Sequence, residues 1–198
     1  MGATRAGLLR ALAEETIHHV YSSDLSRAHA TARAIAQHSG EPTARKVQLH
    51  TGLRERGFGT FEGQTWADIE THWPEASRRW RQRDPDFSPT GGESLLQLRA
   101  RVVGTAERLA ARHPGELIAL VGHGGVMDVL YRAATRLEVD APRTWALGNT
   151  AINRLLWSPE GFALVGWGDT RHLSDDALDE STSDLLSGAP GPFPNGAG

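Results

Sequence analysis

The sequence predicts an α/β three-layer sandwich whose sheet is mainly parallel. Short β-rich runs alternate with stretches in which apolar residues recur at helical spacing. Residues 16–21 precede a helical stretch over 25–36, and residues 117–121 run directly into a helix from 126 to about 135. Such alternation is typical of helices packed on both faces of a sheet. A chain of 198 residues with 39% hydrophobic and 23% charged residues fits one globular domain.

The first half of the chain supplies further elements. Residues 8–13 have apolar side chains on one helical face, and Ser23 or Asp24 is a candidate cap for the helix that follows the first strand. Residues 47–49 predict a brief edge strand. Residues 50–90 are rich in Gly, Arg, Trp and Pro, which indicates a lid-like insertion with short helices.

The second half continues the alternation. Residues 93–112 form a clear amphipathic pattern, and residues 151–157 and 162–167 flank a turn as a β-hairpin. From residue 174 the chain becomes acidic and then rich in Gly and Pro, which predicts a disordered tail over 174–198. The folded domain is therefore expected over residues 1–173.

Composition excludes several function classes. A net charge of −3 with scattered arginines argues against a nucleic-acid partner. The chain has no Cys, so it can form neither a disulfide framework nor a thiolate metal site. The nine histidines show no His-Glu-x-x-His or His-x-His-x-Asp spacing, and we expect no metal and no cofactor. No signal peptide or membrane-length apolar run is visible, which predicts a cytoplasmic protein without a membrane partner.

Two strand-to-helix junctions are candidate anion sites. His123 lies where the strand over 117–121 turns into a helix, and Gly124 and Gly125 let a ligand approach the first backbone N–H groups. Arg27 lies in the first helical turn after the earlier strand, and Arg is well shaped for bidentate phosphate contact. Because ligands gather at the carboxyl ends of strands in such folds, we expect Arg27 and His123 to share a pocket.

Several segments resemble the histidine phosphatase superfamily, which includes phosphoglycerate mutases and small phosphomonoesterases. They are Ser22-Ser-Asp-Leu-Ser-Arg-Ala-His-Ala-Thr-Ala32, Leu53-Arg-Glu-Arg-Gly-Phe-Gly-Thr-Phe-Glu-Gly63, Gly91-Gly-Glu-Ser94, Val121-Gly-His-Gly-Gly125 and Leu147-Gly-Asn-Thr-Ala-Ile-Asn153. The resemblance implies a phosphoglycerate mutase-like fold. It also implies hydrolysis of a small phosphate ester through a phosphohistidine, without a metal.

The same resemblance assigns roles to residues. Arg27, His123 and the Gly124 backbone N–H bind the phosphoryl group, and His123 is also counted with Glu55 as catalytic. Glu55 is the acid that protonates the leaving group. Glu62 competes with Glu55 for that role, and we interpret it as a loop-structural carboxylate. Arg54, Arg56, Trp66 and the segment over 73–80 line the substrate pocket or pack its lid.

The family begins with a strand ending in Arg-His-Gly, whose His is the nucleophile, and no Arg-His-Gly occurs in the 198 residues. We therefore expect the first strand of the fold to be missing, with low stability as the result. None of the other eight histidines is expected to follow the carboxyl end of a strand as His123 does. Two alternatives stay open, a phosphate-binding relative without turnover and a phosphoglycerate mutase, although the region between Gly63 and Gly91 is short for a mutase. The substrate and the oligomeric state are also open.

Overall fold

The computed structural model describes residues 8, 9, 12, 15–39, 41–44 and 46–173. Within them, three parallel strands form a sheet in the order β2-β1-β3, and two antiparallel strands form a separate hairpin. The strands are β1 (His19–Ser22), β2 (Gln48–Leu49), β3 (Ile118–Val121), β4 (Ile152–Ser158) and β5 (Gly161–Asp169). The helices are α1 (Ser26–His38), α2 (Trp66–His72), α3 (Pro74–Arg81), α4 (Leu95–Ala110) and α5 (Gly124–Thr135), with 3₁₀ turns at Thr51–Leu53 and Gly59–Phe61.

The side chains of β1 and β3 point alternately to the two faces of the sheet, and each face packs against its own layer of helices. Val20 packs with Ala32 and Ile35 of α1 on one face of the sheet. Tyr21, the next residue along β1, packs on the other face with a cluster that includes Leu98 and Val126. Since neighbouring residues of a strand point to opposite faces, four-residue strands suffice to join the two cores. The predicted α/β sandwich with a parallel sheet is confirmed.

The helix boundaries differ from the predicted ones for local reasons. The N-cap of α1 is Leu25, and no side chain caps that helix, so the prediction that Ser23 or Asp24 caps it was wrong. Helix α5 begins at Gly124, two residues before the predicted start. Helix α4 begins with a capping box in which Ser94 and Gln97 exchange hydrogen bonds. Half of the predicted helix over 8–13 and the whole predicted tail lie outside the described residues.

The region predicted as a lid forms its own small core. Phe61, Ile69 and Phe87 are buried together, and Trp66 and Trp80 pack against them. Helices α2 and α3 are therefore packed on a small core of this region's own. In the part of the chain that the structure describes, no helix has the length and apolar character needed to cross a bilayer.

Candidate active site

The carboxyl ends of β1 and β3 lie side by side, because the strands are parallel and Ser22 is in register with Val121. The Ser23 N–H donates to the Val121 carbonyl across this edge at 2.9 Å. His123 comes two residues after β3, and Arg27 lies in the first turn of α1. The topology therefore brings both predicted phosphate-binding side chains to one edge of the sheet.

Arg27 and His123 are in direct contact although 96 residues separate them in sequence. The Arg27 Nε donates to His123 Nδ1 at 3.2 Å, and His123 Nε2 lies 2.9 Å from Ser23 Oγ. A guanidinium can only donate, so Nδ1 is the acceptor, and we assign the imidazole proton to Nε2. The Nε2–H then donates to the Ser23 hydroxyl, which fixes the orientation of the ring.

The surroundings keep His123 neutral. Its side chain is buried, and the pKa is lowered from an ordinary value of 6.5 to about 4, chiefly by burial. The positive charges of Arg27 and Arg101 contribute to this lowering, while the charge of Asp24 opposes it. At neutral pH the imidazole therefore adds no charge to the site, and the positive charge comes from the arginines.

Arg27 is placed to bind an anion. Its side chain is exposed, and its Nε is directed at His123. Within the described ranges, its two Nη nitrogens donate to no other protein group. These donors remain available for a phosphate, which a guanidinium can bind through two parallel hydrogen bonds.

Glu55 lies against the N-terminus of α5. Its Oε1 accepts hydrogen bonds from the backbone N–H of Arg56 at 2.8 Å and of Gly125 at 3.1 Å, and Oε2 lies 3.2 Å from the Gly125 nitrogen. Burial raises the pKa of this carboxyl, although those N–H groups and the charges of Arg27 and Arg101 oppose the rise. A raised pKa is what a carboxyl needs to carry a proton toward a leaving group near neutral pH.

The two glycines after His123 have different roles. A Cβ added to Gly125 would lie 2.3 Å from Glu55 Oε1, far inside contact distance. A Cβ added to Gly124 would lie 3.9 Å from Glu55 Oε2, which is ordinary contact. Gly125 therefore makes room for the Glu55 carboxylate, whereas Gly124 leaves its face of the helix N-terminus open, as the predicted phosphate contact requires.

Arg101 is a structural support of the site that the sequence did not reveal. From α4 its guanidinium donates to the carbonyls of Gly52 (3.1 Å), Arg54 (3.0 Å) and Glu55 (3.3 Å). It also forms a two-point ion pair with Glu93, at 2.8 and 2.6 Å. This one side chain fixes the backbone of the loop that carries the predicted acid. The amphipathic pattern of α4 gives no signal that Arg101 points inward.

Ser23 and Asp24, predicted as helix caps, act on the site instead. Ser23 Oγ contacts His123 Nε2 and accepts the Leu25 N–H at 3.3 Å. Asp24 forms a two-point ion pair with Arg54, at 2.7 and 2.5 Å, which links the Arg27 segment to the Glu55 loop. Both residues follow β1 directly. Their position at the end of a strand is the sequence feature that could have indicated a role in the site.

Two residues with open interpretations have structural partners. Arg56 donates to the carbonyls of Glu93 (2.8 Å) and Phe87 (3.2 Å), and its guanidinium lies 4.0 Å from the ring centre of Trp80. These contacts favour lid packing over substrate contact. Glu62 accepts the Phe58 N–H at 3.3 Å within its own loop, in agreement with a loop-structural carboxylate.

The expectation that no other histidine follows the carboxyl end of a strand was wrong. His50 directly follows β2, so His123 is not alone in following the carboxyl end of a strand. The His50 Nδ1 accepts the Gly52 N–H at 3.0 Å and thereby caps the 3₁₀ turn that precedes Glu55.

Comparison with known proteins agrees with this geometry. The family model of the histidine phosphatase superfamily (branch 1) matches residues 3–170. The chain is 35% identical to phosphoglycerate mutase-like protein 4 of Arabidopsis thaliana over 170 residues, which cover 85% of the chain and 71% of the relative. It is 34% identical to a metal-independent phosphoserine phosphatase of Arabidopsis thaliana, over 81% of the chain and 65% of the relative.

A solved structure supports the same assignment. A mycobacterial glucosyl-3-phosphoglycerate phosphatase in complex with inorganic phosphate superposes with a TM-score of 0.72 at 29% identity, covering 86% of each chain. Three observations agree on one family: the order of the motifs, the contact between Arg27 and His123, and these matches. The chain belongs to the histidine phosphatase superfamily, whose members among its relatives are phosphatases and phosphoglycerate mutase-like proteins.

Proposed function

We propose that this chain carries the phosphate-binding and proton-donating groups of a phosphomonoesterase site for a small phosphate ester. The observation that carries the proposal is the direct contact of Arg27 with His123 at the shared strand ends, beside a Glu55 of raised pKa. A small tetrahedral anion suits this site better than a polymer, because the donors converge from one guanidinium and one helix N-terminus.

Each residue has a role that follows from its contacts. Arg27 neutralises the phosphate and stabilises the charge of the transferring phosphoryl group. The Gly124 N–H adds a second phosphate contact. By the family resemblance His123 also binds the phosphate, and to donate to it the ring must turn its Nε2–H from Ser23 to a phosphate oxygen, because Nδ1 accepts from Arg27. Glu55 donates a proton to the departing ester oxygen and afterwards removes one from the attacking water. By the family resemblance, the phosphoryl group is carried on a histidine between these two steps.

A second function is phosphate binding without turnover. The observation that favours it is the contact of Arg27 with His123, because these groups can hold a phosphate whether or not a reaction follows. It uses the same Arg27 and His123 contacts and makes no demand on Glu55. The two functions can therefore be distinguished by a Glu55 substitution, which should abolish hydrolysis but not phosphate binding.

The test measures p-nitrophenyl phosphate hydrolysis and inorganic-phosphate binding by the purified chain. Arg27→Ala is compared with Arg33→Ala, an exposed arginine of the same helix, and Glu55→Gln with Glu62→Gln. For the esterase we expect turnover that falls about 10³-fold in Arg27→Ala and is retained in both controls.

The outcomes separate the two functions. Turnover that Glu55→Gln abolishes supports the esterase. Phosphate-dependent thermal stabilisation that Arg27→Ala abolishes, without any turnover, supports the binding protein. If phosphate neither stabilises the chain nor is released from the ester, the proposed site is wrong.

A further inference from the structure

A second cluster of imidazole and carboxylate groups lies at the opposite end of the sheet. His19 is the first residue of β1, and His113 and Glu116 lie in the connection between α4 and β3. His113 Nδ1 is 2.9 Å and His19 Nε2 is 3.2 Å from the same oxygen, Oε2 of Glu116. Because a strand rises about 3.3 Å per residue, this cluster lies roughly 13 Å from Ser23 and the phosphate-binding edge.

A tight turn fixes two of the three groups. The sequence His113-Pro-Gly-Glu116 closes with a hydrogen bond from the Glu116 N–H to the His113 carbonyl at 3.1 Å. Gly115 has a φ of +78°, which a turn with Pro at its second position and Gly at its third requires. The side chains at the two ends of this turn are therefore held next to each other by the backbone. Parallel pairing of β1 with β3 then places His19 opposite Ile118, just beyond the turn.

A buried tyrosine orients one of the imidazoles. Tyr21 Oη lies 2.8 Å from His113 Nε2, which directs Nδ1 of that ring toward Glu116. Tyr21 is on the same face of β1 as His19 and is almost fully buried. Histidine metal ligands commonly bond a second group through their other ring nitrogen, and Tyr21 has that position here.

The proton count also permits a ligand role for His113. In the present arrangement Nδ1–H donates to the Glu116 carboxylate, so Nε2 accepts from the Tyr21 hydroxyl. For a cation to take the Nδ1 lone pair, the single proton of the neutral ring must move to Nε2. A hydroxyl can accept as well as donate, so Tyr21 keeps its hydrogen bond after this tautomer change. No proton is gained or lost by the ring.

The donor set identifies the class of cation. The three ligand atoms all lie within 4.8 Å of one another. A tetrahedral zinc ion with bonds of about 2.0–2.1 Å has ligand atoms about 3.3 Å apart, close to the two distances measured to Glu116. Two imidazole nitrogens and one carboxylate oxygen suit Zn²⁺ and its neighbours Co²⁺, Ni²⁺ and Cu²⁺ better than Mg²⁺ or Ca²⁺.

We propose that His19, His113 and Glu116 form a binding site for one divalent transition-metal ion of the zinc type, separate from the phosphate site. The ion takes three protein ligands and leaves a fourth position to water. It joins the start of β1 to the turn before β3, so its binding should stabilise this end of the sheet. Phosphate chemistry at the far edge proceeds without it.

The test titrates the chelator-treated full chain with Zn²⁺ by calorimetry and with Co²⁺ by visible absorption. We expect one equivalent of each ion per chain and a higher Tm in Zn²⁺. His19→Gln and Glu116→Gln should each weaken Zn²⁺ binding at least about 100-fold, and Tyr21→Phe about tenfold. His72→Gln is the matched control, because His72 is exposed on α2, far along the chain from the cluster.

Two results would overturn the proposal. One is the absence of stoichiometric Zn²⁺ binding by the wild-type chain. The other is Zn²⁺ affinity in His19→Gln and Glu116→Gln equal to that of His72→Gln. Circular dichroism checks that each variant is folded. If His19→Gln does not fold, Glu116→Gln decides the matter alone, since Glu116 is an exposed residue of the turn.

Discussion

The two ends of the parallel sheet each hold imidazole and carboxylate groups, but the charges around them are opposite. At the carboxyl end, His123 lies between Arg27 and the N-terminus of α5, with the charge of Arg101 acting on it. At the amino end, the rings of His19 and His113 lie against each other, and both contact Oε2 of the Glu116 carboxylate. The first environment favours an anion and the second a cation. The type of ligand is therefore set by neighbouring charge and not by the number of histidines.

The largest expected effect is a loss of folding stability in acid that comes from His123, at the carboxyl end of the sheet. Because the pKa of His123 is lowered from 6.5 to about 4, the unfolded chain binds a proton between these pH values that the folded chain does not bind. The contribution of His123 to stability should therefore fall by about 3 kcal/mol as the pH drops from about 6.5 to about 4, while the raised pKa of Glu55 acts in the opposite direction. Urea unfolding at several pH values measures this loss. His123→Gln should remove most of it and His72→Gln none, and parallel curves for all three proteins would contradict the prediction.

The next effect tests how Glu55 is held. Gly125→Ala places a methyl group where Glu55 Oε1 lies and should displace the carboxylate from the helix N-terminus. Displacing a catalytic group by about 1 Å costs on the order of 100-fold in rate. Gly124→Ala adds the same methyl group at ordinary contact distance and keeps its N–H, so its loss should be about tenfold smaller. Measurement of kcat/KM for p-nitrophenyl phosphate compares the two, and equal losses would show that the Glu55 contact is not important.

A smaller effect is expected from the support of the Glu55 loop. Arg101→Met removes hydrogen bonds to three loop carbonyls and the ion pair with Glu93. We expect about 2 kcal/mol lower stability and about tenfold lower kcat/KM. Arg99→Met is the control, because Arg99 on the same helix makes, among the described residues, only long polar contacts to Leu137 and Glu138. Unfolding and hydrolysis assays of both variants decide whether Arg101 acts on the loop.

The smallest expected effect is the coupling between the two ends of the parallel sheet. Substitutions more than about 10 Å apart usually add within about 0.5 kcal/mol. The double variant Glu116→Gln with Gly125→Ala should therefore lose as much stability as the two single variants together. Urea unfolding of the four proteins completes the cycle. A coupling energy well above that limit would show that the ends communicate through β1 and β3.

The sequence identified those parts of the site that strand ends and motifs mark. Arg27, His123 and Glu55 all lie in segments with a recognisable pattern, and the structure brings them together. Whether Glu55 is the catalytic acid and Gly124 a phosphate contact stays a prediction. The alternating pattern also predicted the parallel sheet, the edge strand and the hairpin.

The rest depends on contacts that no local pattern encodes. Arg101 resembles any arginine on the polar face of a helix until the packing of α4 directs it at the Glu55 loop. The approach of His19 to His113 depends on the register between β1 and β3, which spacing in the sequence does not reveal. The metal-binding motifs sought in the sequence are local spacings, and none is present. The cluster of His19, His113 and Glu116 forms only when the tertiary structure brings distant residues together.

The bond between the Glu55 carboxylate and the Gly125 N–H has a consequence for binding. A phosphate dianion beside Arg27 would bring a second negative charge close to this carboxylate, and repulsion would favour its protonated form. Proton uptake and ligand binding are then linked equilibria, so each strengthens the other by the same factor. Phosphate affinity should accordingly increase as the solution becomes more acidic through the pKa of Glu55, and under the proposed function the proton required by the leaving group would arrive together with the ester.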